Sequence, residues 1–437
     1  MLAAGKGTRM KSAVPKMFHE LCGRPLIWWV LRSLHEVHAN EIGVVISPEM
    51  EAGFRSFAVR VVIQEEQLGT GHAVRAALES LEPRPNGRIL IANGDMPLVT
   101  PEIFHSAIGG LGGGALSLIT LRVGRDSNFG RIVRHGDRVE RIVEVRDATQ
   151  EELALEEANA GIYAADEAKV RGVVTRLRNE NAQRELYLTD AVGMLVSAGE
   201  IVTPILARDS VSLAGINDRV ELARARAAMN ERLCAQHMRD GVTIVDPATT
   251  YLEPELTIGR DTIVYPNTSI ARLSQIGEAC TIGPNSRLSN AVIGNRCEIR
   301  ESVVCDSRIG DGTNVGPFAH VRGESVLAND VRIGNFVELK NARLASGVKA
   351  SHLSYLGDAE IGEEANIGAG TITCNFDGKR KNRTKIGKRT FIGSNSSLVA
   401  PLEVGDGALT GAGSVVTKDV PAGGRVAGNP ARPLSSK

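Results

Sequence analysis

The stretch HLSYLGDAEIGEEANIGAGTITCNF, residues 352–376, decides how the second half of this chain is read. Within it Ile361-Gly362 and Ile367-Gly368 stand six residues apart. The same aliphatic-Gly pairing recurs at that spacing as Ile276-Gly277 with Ile282-Gly283, Ile309-Gly310 with Val315-Gly316, and Ile386-Gly387 with Ile392-Gly393. A hexad sustained from Asp246 onward is the pattern of a β-helix solenoid, in which each short strand turns a corner and stacks its aliphatic side chain on the coil below. Two interruptions argue against a mere spacer. The run CNFDGKRKNRTKIG (374–387) inserts a polar, basic loop, and insertions in repeat proteins gather on one face, often the binding face. The run KASHLSYLGDAEIG (349–362) sets His352 and Tyr355 on coil faces that otherwise carry small residues. On its own, His352 reads more readily as a surface or structural residue than as a catalyst.

The first half has another rhythm. Up to Leu206, short apolar runs such as IGVVIS (42–47) and RILIANGDMP (88–97) alternate with amphipathic stretches such as GHAVRAALESLEP (71–83) and PEIFHSAI (101–108). This predicts a mostly parallel sheet with helices on its faces and ligands beyond the strands' C-terminal ends. Between the halves, residues 217–239 carry Leu222, Ala225, Met229 and Leu233 at helical spacing. They read as a connecting helix or, equally, as a surface helix of the first domain. Two domains also suit the length, since 437 residues exceed what one hydrophobic core supports.

Lys plus Arg equals Asp plus Glu at 51 each, so no bulk field calls for nucleic acid or an anionic membrane. Six cysteines form no CxxC pair and no His/Cys cluster, and read as reduced, mostly buried thiols of a cytoplasmic protein. No run approaches a membrane span or a signal core.

Three segments of the first half could carry chemistry. In MLAAGKGTRMKSAVPK (1–16), Gly5 and Gly7 permit a tight turn, while Lys6, Arg9 and Lys16 supply positive charge; the run is neither a P-loop nor GxGxxG, because Met10 stands where the third Gly would be. Lys16 alone is weak, since most lysines are solvated. The strand of RILIANGDMP ends in Asn93-Gly94-Asp95, and a carboxylate at a strand's mouth suits Mg²⁺ held against a polyphosphate; a turn-forming Asp is the plainer alternative. In QEEQLGTGHA (64–73), a turn from Gly69 to Gly71 opens a helix whose N-terminus favours an anion or a polar base edge, with His72 as a helix-start residue.

Taken in order, LAAGKGTRM with the following PK, QEEQLGTGHA, NGD, and a hexapeptide solenoid containing HLSYLGDAEIGEEANIGAGTITCNF resemble the bifunctional N-acetylglucosamine-1-phosphate uridyltransferase/glucosamine-1-phosphate acetyltransferases over nearly the whole chain. The first motif fits any sugar nucleotidyltransferase, whereas the His-Leu-Ser-Tyr and Thr-Cys-Asn segments are more specific. The resemblance implies an α/β Rossmann-like nucleotidyltransferase domain (1–216), a linker helix (217–239) and a left-handed parallel β-helix acetyltransferase domain (240–437). It implies uridylyl transfer from UTP to N-acetylglucosamine 1-phosphate in the first and acetyl transfer from acetyl-CoA to glucosamine 1-phosphate in the last, supplying cell-wall and lipopolysaccharide precursors in a cytoplasmic homotrimer. By the same resemblance Leu2, Ala3, Ala4 and Gly5 line the nucleotide, Arg9 and Lys16 meet its phosphates, and Gln64, Gly69 and Thr70 the uracil, with Asn93 and Gly94 beside them. Gly130, Glu144 and Asn159 hold the sugar, and Asp95 with Asn217 binds Mg²⁺. In the solenoid His352 is the general base. Arg322, Lys340, Tyr355, Asn366 and Lys381 hold the sugar phosphate, and Ala369, Asn375, Phe376, Ser394, Ala412 and Arg432 face acetyl-CoA.

This sequence departs from the family pattern at three places. Phe376 stands where Tyr is frequent, which removes a hydroxyl and keeps a stacking surface. The tail ends RVAGNPARPLSSK, so that Arg425 or Arg432 replaces the usual C-terminal Arg against CoA. The strand that normally precedes LAAGKGTRM is missing except for Leu2, which leads us to expect further residues upstream of Met1. Two other readings compete: a sugar-1-phosphate nucleotidyltransferase whose solenoid only oligomerises, and a non-catalytic regulatory subunit. His352, Tyr355 and Asn375 weigh against the first, Lys16 and Asp95 against the second.

Overall fold

The computed structural model describes residues 1–434, so the last three positions of the expected 240–437 domain lie outside the described residues. The chain forms two compact units, Met1–Ala228 and Met229–Lys437.

In the first unit the opening residues occupy a strand position. The Leu2 N–H donates to Ala92 O and the Ala3 N–H to Val45 O, both at 2.8 Å, while the Val45 N–H donates to Met1 O at 2.9 Å. Met1–Ala3 thereby bridges Gly43–Ile46 on one side and the end of Arg88–Ile91 on the other, so the position expected to be vacant but for Leu2 is filled by three residues. Across the sheet the strands run Arg60–Ile63, Gly43–Ile46, Met1–Ala3, Arg88–Ile91, Glu157–Asp166, Leu116–Arg122 and Val202–Leu206.

Along this order the sheet is mostly parallel, as the sequence suggested, with one strand reversed. Glu157–Asp166 runs antiparallel to both Arg88–Ile91 and Leu116–Arg122. It follows the hairpin of Arg131–His135 and Arg138–Val143 instead of a crossover helix, so the chain re-enters the sheet from the opposite end. Helices cover both faces. Val30 and Leu34 of Leu26–Glu36 and Phe104 and Ala107 of Pro101–Leu111 pack with Ile119 and Ile162. Val74 and Leu78 of Thr70–Ser80, four apart and hence on one helix face, pack with Leu118, Val173 and Val192.

The boundary between the units falls inside the helix Arg219–Arg239. Asp218 caps it, its carboxylate accepting the N–H groups of Val220 and Glu221 at 2.8 Å each. Leu222, Ala225, Met229 and Leu233 are all buried.

The second unit is a β-helix of short strands that pair in parallel from coil to coil, except for the antiparallel last pairing of Arg425–Ala427 with Arg432–Pro433. The hexad aliphatics Ile276, Ile282, Ile309, Val315, Ile361, Ile367, Ile386 and Ile392 fill its interior, none more than 4% exposed. Burial of such a column, at about 25 cal/mol per Å² of apolar surface, is what makes coil stack on coil. The glycine that follows is forced by the coil spacing: a Cβ on Gly393 would stand 2.5 Å from Thr410 O and 2.6 Å from Ala412 N.

Cys234, Cys280 and Cys297 are buried, whereas Cys22, Cys305 and Cys374 are half-buried, so the expectation of mostly buried thiols holds for three. Among the described residues no helix is long and apolar enough to cross a membrane.

Candidate active sites

The first unit holds a cleft of about 570 Å³ lined by Leu2, Ala4, Gly5, Lys6, Lys16, Gln64, Gly69, Thr70, Asn93 and Asp95. Residues from separate segments of sequence, with Glu185 as a further contributor, are thus gathered at the strands' C-terminal ends. The opening turn packs directly on Lys16. Gly7 has φ +60°, and a Cβ there would lie 2.7 Å from Lys16 Cβ, so only glycine fits. Lys16 is 8% exposed and not a solvated surface charge. Its Nζ donates to Asp95 Oδ2 at 2.7 Å and to Asn217 Oδ1 at 3.4 Å. Asp95 and Asn217, far apart in sequence, therefore share one ammonium group. The Ile216 N–H donates to Asp95 O at 2.9 Å, which holds the segment leading into the helix against the strand's mouth.

Around the second turn, Gln64 is buried and its Nε2 donates to Gly69 O at 3.3 Å and lies 2.9 Å from His72 Nδ1. His72 stands in the first turn of its helix, engaged with Gln64. Thr70 Oγ1 accepts the Leu188 N–H at 3.1 Å. Ala3 is buried in the sheet, and the Gly94 N–H donates to Leu2 O at 2.8 Å, so both support the cleft floor from within. Arg9 is exposed on the short turn Thr8–Met10 and is not part of the cleft lining.

Gly130, Glu144 and Asn159 also come together. The Asn159 N–H donates to Gly130 O at 2.8 Å, and a Cβ on Gly130 would lie 3.3 Å from Glu144 Oε2. Glu144 lines a second depression of about 790 Å³ with Asp147, Tyr187, Thr189 and Asp190. Burial raises the Glu144 carboxyl above the usual range; the Thr189 hydroxyl, donating at 3.0 Å, opposes this, and Asp190, Asp147 and Glu185 add to it. Asn159 Nδ2 donates to the buried Tyr163 hydroxyl at 2.6 Å, and burial raises the Tyr163 phenol. Burial likewise pushes the Tyr187 phenol up to about 12. Tyr163, Tyr187 and Thr189 were not singled out from sequence, because each sits in an ordinary strand or helix-start pattern.

In the second unit one ladder carries His352. Lys349–His352 pairs with Arg332–Asn335 below, which sets Asn335 directly beneath His352. His352 Nδ1 and Asn335 Oδ1 are 2.6 Å apart. The same register continued upward puts Ala369, Ser394 and Ala412 above His352 in one column of small residues. Arg432 lies across from Ala427 in the last pairing, near the top of that column, whereas Arg425 pairs with Leu409 at the other end of the strand. Both arginines are exposed.

Around the corner, Arg322 pairs with Lys340 and Lys340 with Gly357. Arg322 donates to Glu338 through Nε at 2.8 Å. Lys381 lies against Lys340, and its hydrogen bond and charge, with that of Arg322, lower the Lys340 pKa. The Tyr355 phenol covers Gly357, where a Cβ would be 2.3 Å from its hydroxyl. Asn375 is buried; its Nδ2 donates to Asp358 Oδ2 at 2.6 Å and lies 3.5 Å from the Tyr355 hydroxyl. Phe376 is exposed in the inserted loop and bridged to Lys381. Asn366 is the predicted residue that stands apart: it belongs to the His352 ladder, paired with Lys349 and Phe391, and not to the ladder of Arg322, Lys340 and Tyr355. Asn335 was missed in the sequence, where IGN (333–335) is one more hexad with a polar residue after its glycine.

Residues 1–129 match the MobA-like NTP transferase domain family. Residues 248–345 match the GMPPB C-terminal domain, and 383–418 the hexapeptide repeat of succinyl-transferase. Curated proteins resemble the chain along nearly its whole length. The bifunctional protein GlmU of Trichlorobacter lovleyi is 44% identical over 429 residues, covering 96% of this chain and 93% of the relative. Those of Geobacillus thermodenitrificans and Streptomyces avermitilis are 44% and 42% identical, over 96% and 97% of this chain and 93% and 90% of the relatives.

Proposed function

The chain belongs to the family of the bifunctional protein GlmU, and from that premise we propose how its two units divide the work and which residues do it. The enzyme joins a nucleotidyltransferase of Rossmann-like α/β fold to an acetyltransferase built as a left-handed β-helix of hexapeptide repeats. It acetylates glucosamine 1-phosphate from acetyl-CoA and transfers uridylyl from UTP to N-acetylglucosamine 1-phosphate, releasing pyrophosphate. In our reading residues 1–216 serve the second reaction, 240–437 the first, and 217–239 connect them.

The convergence of Lys16, Asp95 and Asn217 carries the uridyltransferase assignment. The sugar phosphate oxygen attacks the α-phosphorus and the pyrophosphate leaves in line, so the protein's task is to position and to neutralise. Lys16 would face the phosphates, and the buried Gln64 amide with Gly69 and Thr70 the uracil edge, while Arg9, outside the cleft lining, would meet the phosphates only from the exposed turn Thr8–Met10. Gly130, Glu144 and Asn159 would hold the sugar. One carboxylate and one amide oxygen around a shared cation fit Mg²⁺, which takes few protein oxygens and completes its shell with water and phosphate. When bound there, Mg²⁺ supplies charge neutralisation for the polyphosphate.

In the β-helix, His352 would take a proton from the sugar amine as the nitrogen bonds to the thioester carbonyl carbon. The C–S bond then breaks and the CoA sulfur leaves, recovering that proton from the imidazole. The small-residue column Ala369, Ser394 and Ala412 leaves a groove in which an extended pantetheine arm would lie, with Asn375 and Phe376 beside it and Arg432 as the arginine for the CoA phosphates. Arg322, Lys340 and Lys381 gather three cations for a sugar phosphate, with Tyr355 at their edge. Asn366, on another ladder, would serve that pocket from a second copy of the chain. We therefore assign a homotrimer, which would also cover the exposed Ile372, Phe391 and Val399. A demand for UTP and acetyl-CoA suits a cytoplasmic enzyme feeding envelope precursor synthesis.

Purified protein should release pyrophosphate from Mg²⁺, UTP and N-acetylglucosamine 1-phosphate, and free CoA thiol from acetyl-CoA and glucosamine 1-phosphate. Pyrophosphate release without CoA release would instead support a nucleotidyltransferase with a purely oligomerising solenoid.

A further inference from the structure

We infer that Asn335 is the positioning residue that holds His352 as the Nδ1–H tautomer, leaving the Nε2 lone pair to accept the proton. The inference rests on the reading of His352 as the acetyltransfer base.

The ladder register stacks Asn335 under His352, one strand spacing below. The amide oxygen lies 2.6 Å from Nδ1. An amide oxygen only accepts, so the ring nitrogen facing it carries the hydrogen, and the hydrogen bond at one ring nitrogen decides the protonation of the other. The backbone fixes both partners at the right height. Each stands just before a corner, where Phe336 at φ 57° and Leu353 at φ 49° adopt the left-handed conformation that bulky residues avoid. The Leu353 N–H donates to Asn335 O at 2.9 Å and the Phe336 N–H to Phe318 O at 3.1 Å. The rings of Phe318 and Phe336 stack at 5.4 Å, with 13° between their planes. This corner holds Asn335 where its amide meets the imidazole.

The column contains no charge. By continued register Pro317 lies below Asn335 and Ala369 above His352. The charged groups on the two paired strands are Arg332 and Lys349, three positions back, and Tyr355 follows around the corner. An amide in this place orients the ring without the negative charge that would favour the imidazolium.

Three measurements on the full-length protein test this. Asn335→Ala should lower kcat for CoA release about tenfold, as loss of a partner behind a working imidazole does, with KM for both substrates nearly unchanged. Asn335→Asp should move the acid limb of the kcat/KM profile for CoA release upward by about one pH unit, a shift that a merely structural contact would not produce. In ¹⁵N NMR of the unsubstituted enzyme, which needs no variant to fold, His352 should appear as the Nδ1–H tautomer. An Nε2–H signal, unchanged kcat in Asn335→Ala, or an unmoved acid limb in Asn335→Asp would each overturn the inference. CoA release surviving in His352→Ala would overturn the reading of the base itself, whatever Asn335 does.

Discussion

The nucleotide cleft and the His352 column solve one problem, the placing of polar groups around a reacting atom, by opposite means. In the cleft, Lys16, Asp95 and Asn217 come from a turn, a strand end and the start of a helix, and meet only because the sheet brings their backbones together. In the column, Asn335, His352, Ala369, Ser394 and Ala412 meet because every coil repeats the one beneath it. A cleft built from distant segments depends on each contact being made. A column built by repetition depends on register, and a side chain replaced within it leaves the backbone ladder intact.

The sharpest division between the two regions should appear when each loses its central residue. His352→Ala should cut CoA release by roughly 10²–10⁴, the range of a positioned general base, and leave pyrophosphate release unchanged. Equal loss of both activities in folded protein would break the separation. Lys16→Ala should lower pyrophosphate release by about 10²–10³, as removal of a preorganised charge does, with CoA release intact.

Stability separates the regions in another way. Ile282 is fully buried in the coil stack, and Ile282→Ala should cost about 2–5 kcal/mol of the second unit's stability, read by denaturant unfolding. A loss below 1 kcal/mol would mean that the solenoid interior collapses around the gap. The smallest effect belongs to Glu144. Its carboxyl pKa is raised in the fold, chiefly by burial, so the stability it contributes is present below the unfolded value and is lost as pH rises through the folded one. Glu144→Gln should therefore raise the first unit's melting temperature at pH 7 and leave it unaltered at pH 4. A gain of equal size at both pH values would show that ionisation is not the cause.

The repeat was legible in the sequence because period and burial coincide: an aliphatic residue followed by glycine every six positions can stack only one way, and Ile276 through Ile392 fill the interior as that period requires. The turns at Gly5 and Gly69 were legible for the same local reason, since backbone conformation is written in the residues that permit it. Strand direction was not. Whether Glu157–Asp166 enters parallel or antiparallel depends on which end of the sheet the preceding hairpin leaves it at, and no residue within the strand records that. Nor was the meeting of Asp95 with Asn217, or of Asn335 with His352. By itself the sequence determined the two rhythms and the candidate side chains. The tertiary structure decided which of them stand within hydrogen-bond reach of one another or of a shared partner, because a hydrogen bond is set by distances in space while a sequence records only distances along the chain.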